Sequence, residues 1–311
     1  MILRLNNPNE YAILPNDRKT EHNLLNSLAT HTSIPVPRSY MVLEPEDFGV
    51  QGQVIERIDG ITKPTSFFGA NENQALNESI GINLVEKLAE LHTTDRKKID
   101  PSGQLDDPEN AGIEVGSHER YLETTTDYFL KSYPKMAFDT LPSFYQCFKH
   151  LARQRIRPLP LCVTHGELNP SNLIYKDGKI NGIIDWELAH IGDPREDLGW
   201  FAHMEMATGT SFIPSVKKHG GFLAYYNKLT GFNVSEEEVN FFRFIGMARV
   251  LVNVQIAIAN RMLEKNKDVT NLYLFQFVVG VSMVHNLLLG YDKDADYFEN
   301  RFVSPPKKAV A

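Results

Sequence analysis

Cysteine is nearly absent. Cys147 and Cys162 are the only two in 311 residues, too few for a disulfide framework, and Cys162 sits in an apolar run that reads as core. Positive charge is not in excess either. The 32 Lys and Arg against 39 Asp and Glu leave a net charge of −7, which argues against non-specific nucleic-acid binding and charge-driven membrane attachment. An anionic small molecule stays open, because a metal ion and a few basic side chains can reverse the field locally. The opening Met1-Ile2-Leu3-Arg4-Leu5-Asn6 lacks the apolar stretch of a secretion signal, so a cytoplasmic location is expected. A clean membrane span is also lacking. The densest apolar run, 272–289, is broken by Gln276, His285 and Asn286 and reads as a buried core helix. No Gly-x-Ser-x-Gly elbow occurs, which disfavours a hydrolase.

What is present is an ordinary globular composition, 42% hydrophobic and 23% charged, long enough for two lobes or domains. One stretch, 161–199, is denser in chemistry than the rest. Apolar Leu161, Cys162 and Val163 lead to His165-Gly166-Glu167, and Asn172 follows. The tetrad Lys176-Asp177-Gly178-Lys179 between apolar runs is a hairpin signal. Gly182, Ile183 and Ile184 then form a strand ending at Asp185, with Trp186 and Glu187 after it. Two carboxylates and an amide oxygen at strand ends suit metal-assisted phosphoryl transfer: Glu167 to orient or deprotonate an acceptor hydroxyl, Asn172 and Asp185 to bind Mg²⁺ at nucleotide phosphates. Glu167 and Asn172 are five residues apart, and Asn172 and Asp185 thirteen. This spacing matches the catalytic acid, Asn and metal-binding Asp of protein-kinase-like enzymes.

These residues resemble the aminoglycoside phosphotransferase and choline kinase family, in particular the subgroup related to the kinase-like domain fused to acyl-CoA dehydrogenases. The likeness rests on His165, Gly166, Asn172, Ile184-Asp185-Trp186-Glu187, Gly192-Asp193-Pro194 and Asp197-Leu198. It implies an α+β, protein-kinase-like two-lobed fold: a small antiparallel N-lobe over residues 1–60, a mainly helical C-lobe over 61–298, and a tail over 299–311. It implies ATP and Mg²⁺ as cofactors and a small hydroxylated molecule as substrate, with no nucleic-acid or membrane partner. Arg4 takes the place of the basic residue that contacts the phosphates, and Glu21 that of the helix acid orienting it. Glu56 to Ile58 take the place of the hinge backbone that meets adenine. His165 and Asp197 are expected to brace the catalytic loop, with Asp197 accepting from backbone near His165. Glu187 is left between holding a second Mg²⁺ and binding an arginine.

The chain departs from the family at two points. The catalytic Asp is Glu167 here, one methylene longer, and the family's first hairpin is expected to be missing ahead of residues 2–5, leaving an exposed sheet edge. Both features keep a second reading open, a kinase-like binding protein with little or no turnover. A protein kinase is disfavoured by the absence of an Asp-Phe-Gly and activation segment.

Other expectations come from patterning. Residues 34–39 are extended because of their prolines, and 50–56 is an edge-like strand. Leu76, Ile80, Leu84, Leu88 and Leu91 make one stripe of a helix over 72–92, ending at a structural His92. Residues 96–116 read as loop, with helices at 118–130, 141–155, 211–229 and 270–289. Ser235, followed three residues later by Glu238, opens a further helix through a capping box.

Overall fold

The computed structural model of the protein describes residues 1–6, 17–62, 74–106, 117–135, 155–208 and 212–263. Its first element is strand β1 (Ile2–Leu5), antiparallel to β3 (Gly52–Ile55), with β2 (Ser39–Leu43) on the far side of β3. Arg4 pairs with Gln53 in this register. Helix α1 (Arg18–His31) packs on β2 and β3. Asp17 caps it by accepting from the Lys19 and Thr20 N–H groups at 3.0 and 3.3 Å, which satisfies donors that have no partner within the first turn. Arg18, Glu21, Leu24, Leu25 and Leu28 form its buried face.

The strand over 50–56 is not an edge. It is the middle of its sheet, and β1 is an edge strand with Ile2, Leu3 and Leu5 exposed. Its alternating glutamines gave the misleading polar look. Gln53 is wholly buried because its amide N–H₂ donates to the Ser39 hydroxyl at 3.0 Å.

Beyond α2 (Pro45–Phe48) and β4 (Ile61–Thr62), the long helix α3 (Gln74–Thr93) centres the larger core. Ile80, Leu84, Leu88 and Leu91 are buried as the stripe requires, together with Val85. The stretch expected as loop after it begins instead with α4 (Arg96–Ile99), capped by Asp95 through Lys97 N–H, and a 3₁₀ turn at Gln104–Asp106. Helix α5 (His118–Ser132) follows.

The chemistry-rich stretch forms β5 (Cys162–Thr164), a 3₁₀ turn at Pro170–Asn172, the hairpin β6 (Leu173–Lys176) and β7 (Lys179–Ile183), and β8 (His190–Gly192). Asp177 and Gly178 turn the hairpin with φ of 51° and 76°, the left-handed pair that a two-residue turn needs. Strand β4 joins this hairpin through β6, and β5 pairs with β8. Cys162 is buried, as expected.

Helix α6 (Arg195–Thr208) then packs along α9 (Glu236–Leu263). The single helix expected over 211–229 is two, α7 (Phe212–Ser215) and α8 (Phe222–Thr230). Gly220 and Gly221 break it, both at positive φ, where a glycine costs least. The capping box is present. Ser235 Oγ accepts from Glu238 N–H at 3.2 Å, and Glu238 Oε2 accepts from Ser235 N–H at 2.8 Å. Ser235→Ala is expected to lower stability by about 1 kcal/mol, read as a shift in the urea midpoint at unchanged slope. The helix expected over 141–155, apart from Arg155, the 270–289 helix, the 299–311 tail and Cys147 lie outside the described residues, and Arg155 itself is not helical. Among the described residues no helix is long and apolar enough to cross a membrane.

Candidate active site

The hairpin explains how residues thirteen apart meet. Pairing Leu173 with Ile183 brings its open ends together, and Ile184 N–H donates to Asn172 O at 3.0 Å. Asn172 and Asp185 therefore leave adjacent strands side by side. Asp185 has φ of 70°, unusual for a residue with a side chain and costing on the order of 1–3 kcal/mol. Surrounding contacts hold it there.

Glu167 is placed by backbone bonds on both sides. Its carbonyl accepts from the Asn169 and Asn172 side-chain amides at 3.1 and 3.0 Å. Asn172 thus spends its nitrogen on the loop that carries Glu167. His165 is fully buried, and backbone groups engage both ring nitrogens. Nε2 donates to Ile184 O at 3.0 Å, and Nδ1 accepts from Glu167 N–H at 3.3 Å. Burial pushes its pKa down, so the ring is neutral and tethers the acid-bearing loop to the strand carrying Asp185. At Gly166 φ is 80°, and a Cβ would collide with Leu188 O, so the loop admits only glycine there.

Asp197, at the start of α6, closes the loop from beneath. It accepts from His165 N–H at 2.8 Å and Gly166 N–H at 3.1 Å. His92 Nε2 lies 3.2 Å from the same carboxylate, and His92 Nδ1 lies 2.8 Å from the Tyr226 hydroxyl. Burial would raise the Asp197 pKa, but the hydrogen bonds from His92 and from the His165 backbone N–H lower it below the ordinary range. Asp193 braces a second point, bound by Arg195 at 2.6 Å and His118 at 2.7 Å, while Arg195 reaches Glu238 on α9 at 3.0 Å.

The N-terminal sheet delivers the counter-charge. Arg4 contacts Glu21 at 2.9 Å, Asp185 at 2.7 Å and Glu187 at 3.2 Å. Burial opposes its charge, but these three carboxylates outweigh it and hold the pKa above the ordinary value. Arg4 and Glu21 thus stand together as the sequence pattern implies. Of the hinge pair, Ile58 packs against Gly182. Glu56 N–H is committed to Arg38 O at 2.8 Å and its carboxylate to Arg38 N–H at 3.1 Å. Glu56 therefore has no N–H to spare for a ligand, and its carbonyl and the residues after it carry what the hinge can offer.

Glu167 is the titrating group. Burial, then the nearby charges of Asp185 and Glu187, raise its pKa to about 7. A carboxylate poised near neutrality is what general-base work at neutral pH asks for.

The sequence profile of the phosphotransferase enzyme family matches residues 1–232. The chain belongs to that family. Acyl-CoA dehydrogenase family member 11 of Pongo abelii is 24% identical over 267 residues, 79% of this chain but 32% of that protein. The chain thus spans about a third of the curated relatives it matches. A Ralstonia eutropha JMP134 protein described as an aminoglycoside phosphotransferase superposes with a TM-score of 0.64 at 18% identity, covering 88% of this chain and 83% of the other. A GDP complex of an aminoglycoside 2'-phosphotransferase-IIIa mutant gives 0.58 at 12% identity, covering 90% and 82%. These likenesses fix the fold as the protein-kinase-like one of the phosphotransferases.

Sequence reading missed Arg18. It is 4% exposed and bonds Glu21 at 2.6 Å and Glu187 at 3.1 Å. The clue was available, since Arg18 stands three residues before Glu21 and shares its helix face. Asp193's partner His118 was also missed, because nothing local marks a contact across 75 residues, and so was Arg195, only two residues away.

Proposed function

We propose that the protein is an ATP- and Mg²⁺-dependent O-phosphotransferase of the cytoplasm, acting on a small hydroxylated molecule by direct in-line transfer. The observation that carries this reading is the convergence of Glu167, Asn172 and Asp185 on one hairpin end, with Glu167 titrating at about 7. Among the described residues no three His, Cys, Asp or Glu side chains form a metal-binding group. The donors that fit are instead the oxygens of Asn172 and Asp185. Two hard oxygens suit Mg²⁺, which takes few protein ligands and fills its shell with phosphate and water. When bound there, the ion would neutralise phosphate charge.

The other steps belong to the chain. Arg4, steadied by Glu21, holds phosphate oxygens. The Glu167 carboxylate takes the proton of the acceptor hydroxyl as its oxygen bonds the terminal phosphorus, and the bond from that phosphorus to the nucleoside diphosphate oxygen breaks. No covalent enzyme intermediate is needed, since among the described residues no Ser, Cys or His is placed for one. A binding protein without turnover is the second reading. It is favoured by the 2.7 Å Arg4–Asp185 bridge, which occupies one oxygen of the carboxylate assigned to the metal.

Calorimetric titration with ATP and Mg²⁺ tests the proposal. Wild type is expected to bind nucleotide more tightly with Mg²⁺ than without, and Asp185→Ala to lose that gain, at least tenfold. Nucleotide binding indifferent to Mg²⁺ in the wild type would sink the kinase reading, and binding without phosphorylation of any hydroxylated acceptor would favour the second one.

A further inference from the structure

Glu187 follows Asp185 by two residues and faces the same cluster, so it is the natural candidate to hold a second divalent cation. Its surroundings say otherwise. Glu187 Oε2 lies 3.2 Å from Arg4 and 3.1 Å from Arg18. Arg18 Nη1 also binds Glu21 Oε2 at 2.6 Å, and Arg4 binds Glu21 Oε1 at 2.9 Å. The four side chains close a ring of alternating charge, with Asp185 attached at Arg4.

Arg18 is locked into this ring from its other atoms. Its Nε donates to Asn6 Oδ1 at 2.6 Å, and its backbone N–H donates to Gln51 Oε1 at 2.8 Å. It is buried, it cannot lose its proton, and swinging to water would leave Arg4 alone to compensate Glu21, Asp185 and Glu187. Two guanidinia face three carboxylates, leaving one negative charge in excess. One divalent cation at Asp185 turns that excess positive. A second at Glu187 would have to sit against two fixed guanidinium groups.

We propose that Arg18 takes the place of a second metal ion, so that this site operates with a single divalent cation. Arg18 is a positioning residue: it holds Glu187 and Glu21, and through them Arg4. The inference rests on the phosphotransferase reading above and adds the metal stoichiometry to it.

Equilibrium dialysis of Mn²⁺ against protein and equimolar AMP-PNP counts the ions retained per chain. Wild type is expected to retain one. Two retained ions would overturn the single-metal proposal while leaving the phosphotransferase reading intact, and none would overturn both. Arg18→Gln is expected to leave Glu187 with one guanidinium, Arg4, in place of two and raise the count toward two, with Arg18→Lys returning it to one. A count of one in a folded Arg18→Gln protein would remove Arg18 from the role. Glu187→Gln keeps the test decisive should the Arg18 variants not fold. It is expected to leave the wild-type count at one, and a fall to zero would make Glu187 a metal ligand and overturn the proposal.

Discussion

Glu167→Gln is expected to lower the phosphorylation rate by about 10²–10⁴-fold while leaving Mg²⁺-dependent nucleotide affinity within about twofold. The amide is nearly isosteric and keeps the loop's backbone bonds, which run through the Glu167 carbonyl rather than its carboxylate. What it loses is the ability to take a proton. The wild-type rate should therefore climb with pH and level off, with a midpoint no higher than about 7. The midpoint should move lower as the metal loads, because a nearby cation favours the carboxylate. The Gln variant should show no such rise, and equal activity in it would remove Glu167 from the reaction.

The same substitution should make the protein more stable. The Glu167 pKa is raised in the fold from 4.5 to about 7, so between those values the folded state binds more protons than the unfolded one. Stability attributable to this group therefore falls as pH rises from 4.5 to 7 and stays reduced above. Glu167→Gln removes that penalty, on the order of 3 kcal/mol at pH 8 and near zero at pH 4. Urea denaturation at the two pH values reads the difference, and an equal effect at both would mean that Glu167 is not held near-neutral. Lost activity with gained stability is the pattern expected of a carboxylate kept in an unfavourable place for its chemistry.

The sequence disclosed what is set locally or by fixed spacing. The Asp177-Gly178 turn, the Ser235 and Glu238 cap and the α3 stripe follow from backbone and packing rules acting over a few residues, and each stands where those rules put it. The Asn172 and Asp185 pair was legible because a hairpin register converts spacing into contact. Less legible were features whose partner is remote. Gln53 looked like an edge residue because the Ser39 hydroxyl that allows its burial lies on a different strand. Arg18 went unread because Glu187, its second carboxylate, comes from far along the chain. Of the two roles left open for Glu187, arginine pairing is present in the structure, with Arg4 and Arg18. The helix break at Gly220-Gly221 could have been read from the doublet, but the apolar residues on both sides, Phe212, Ile213, Phe222 and Leu223, kept a continuous stripe.

Asp197→Ala is expected to destabilise the fold by about 3–5 kcal/mol and to lower any remaining transfer rate by about 100-fold or more. The carboxylate is wholly buried and serves three donors, the N–H groups of His165 and Gly166 and the His92 ring. Truncation leaves all three in a dry interior, each costing about 1–3 kcal/mol, and partial relaxation brings their sum down to the range given. Asn is no rescue. Its oxygen can serve His165 N–H, but its amide nitrogen then meets the Gly166 N–H, donor against donor. Because the Asp197 pKa is depressed in the fold, its contribution is present above the unfolded value of about 4 and is lost as pH falls through the lower folded one. The gap between wild type and Asp197→Ala should therefore narrow in acid. The rate should suffer beyond what stability explains, since Glu167 follows the two tethered residues directly and a displacement of about 1 Å costs on the order of 100-fold. Denaturation curves from pH 3 to 8, with rates taken where the variant is still folded, check both parts. A variant that unfolds more easily yet turns over normally would show that Asp197 holds the core and not the catalytic loop.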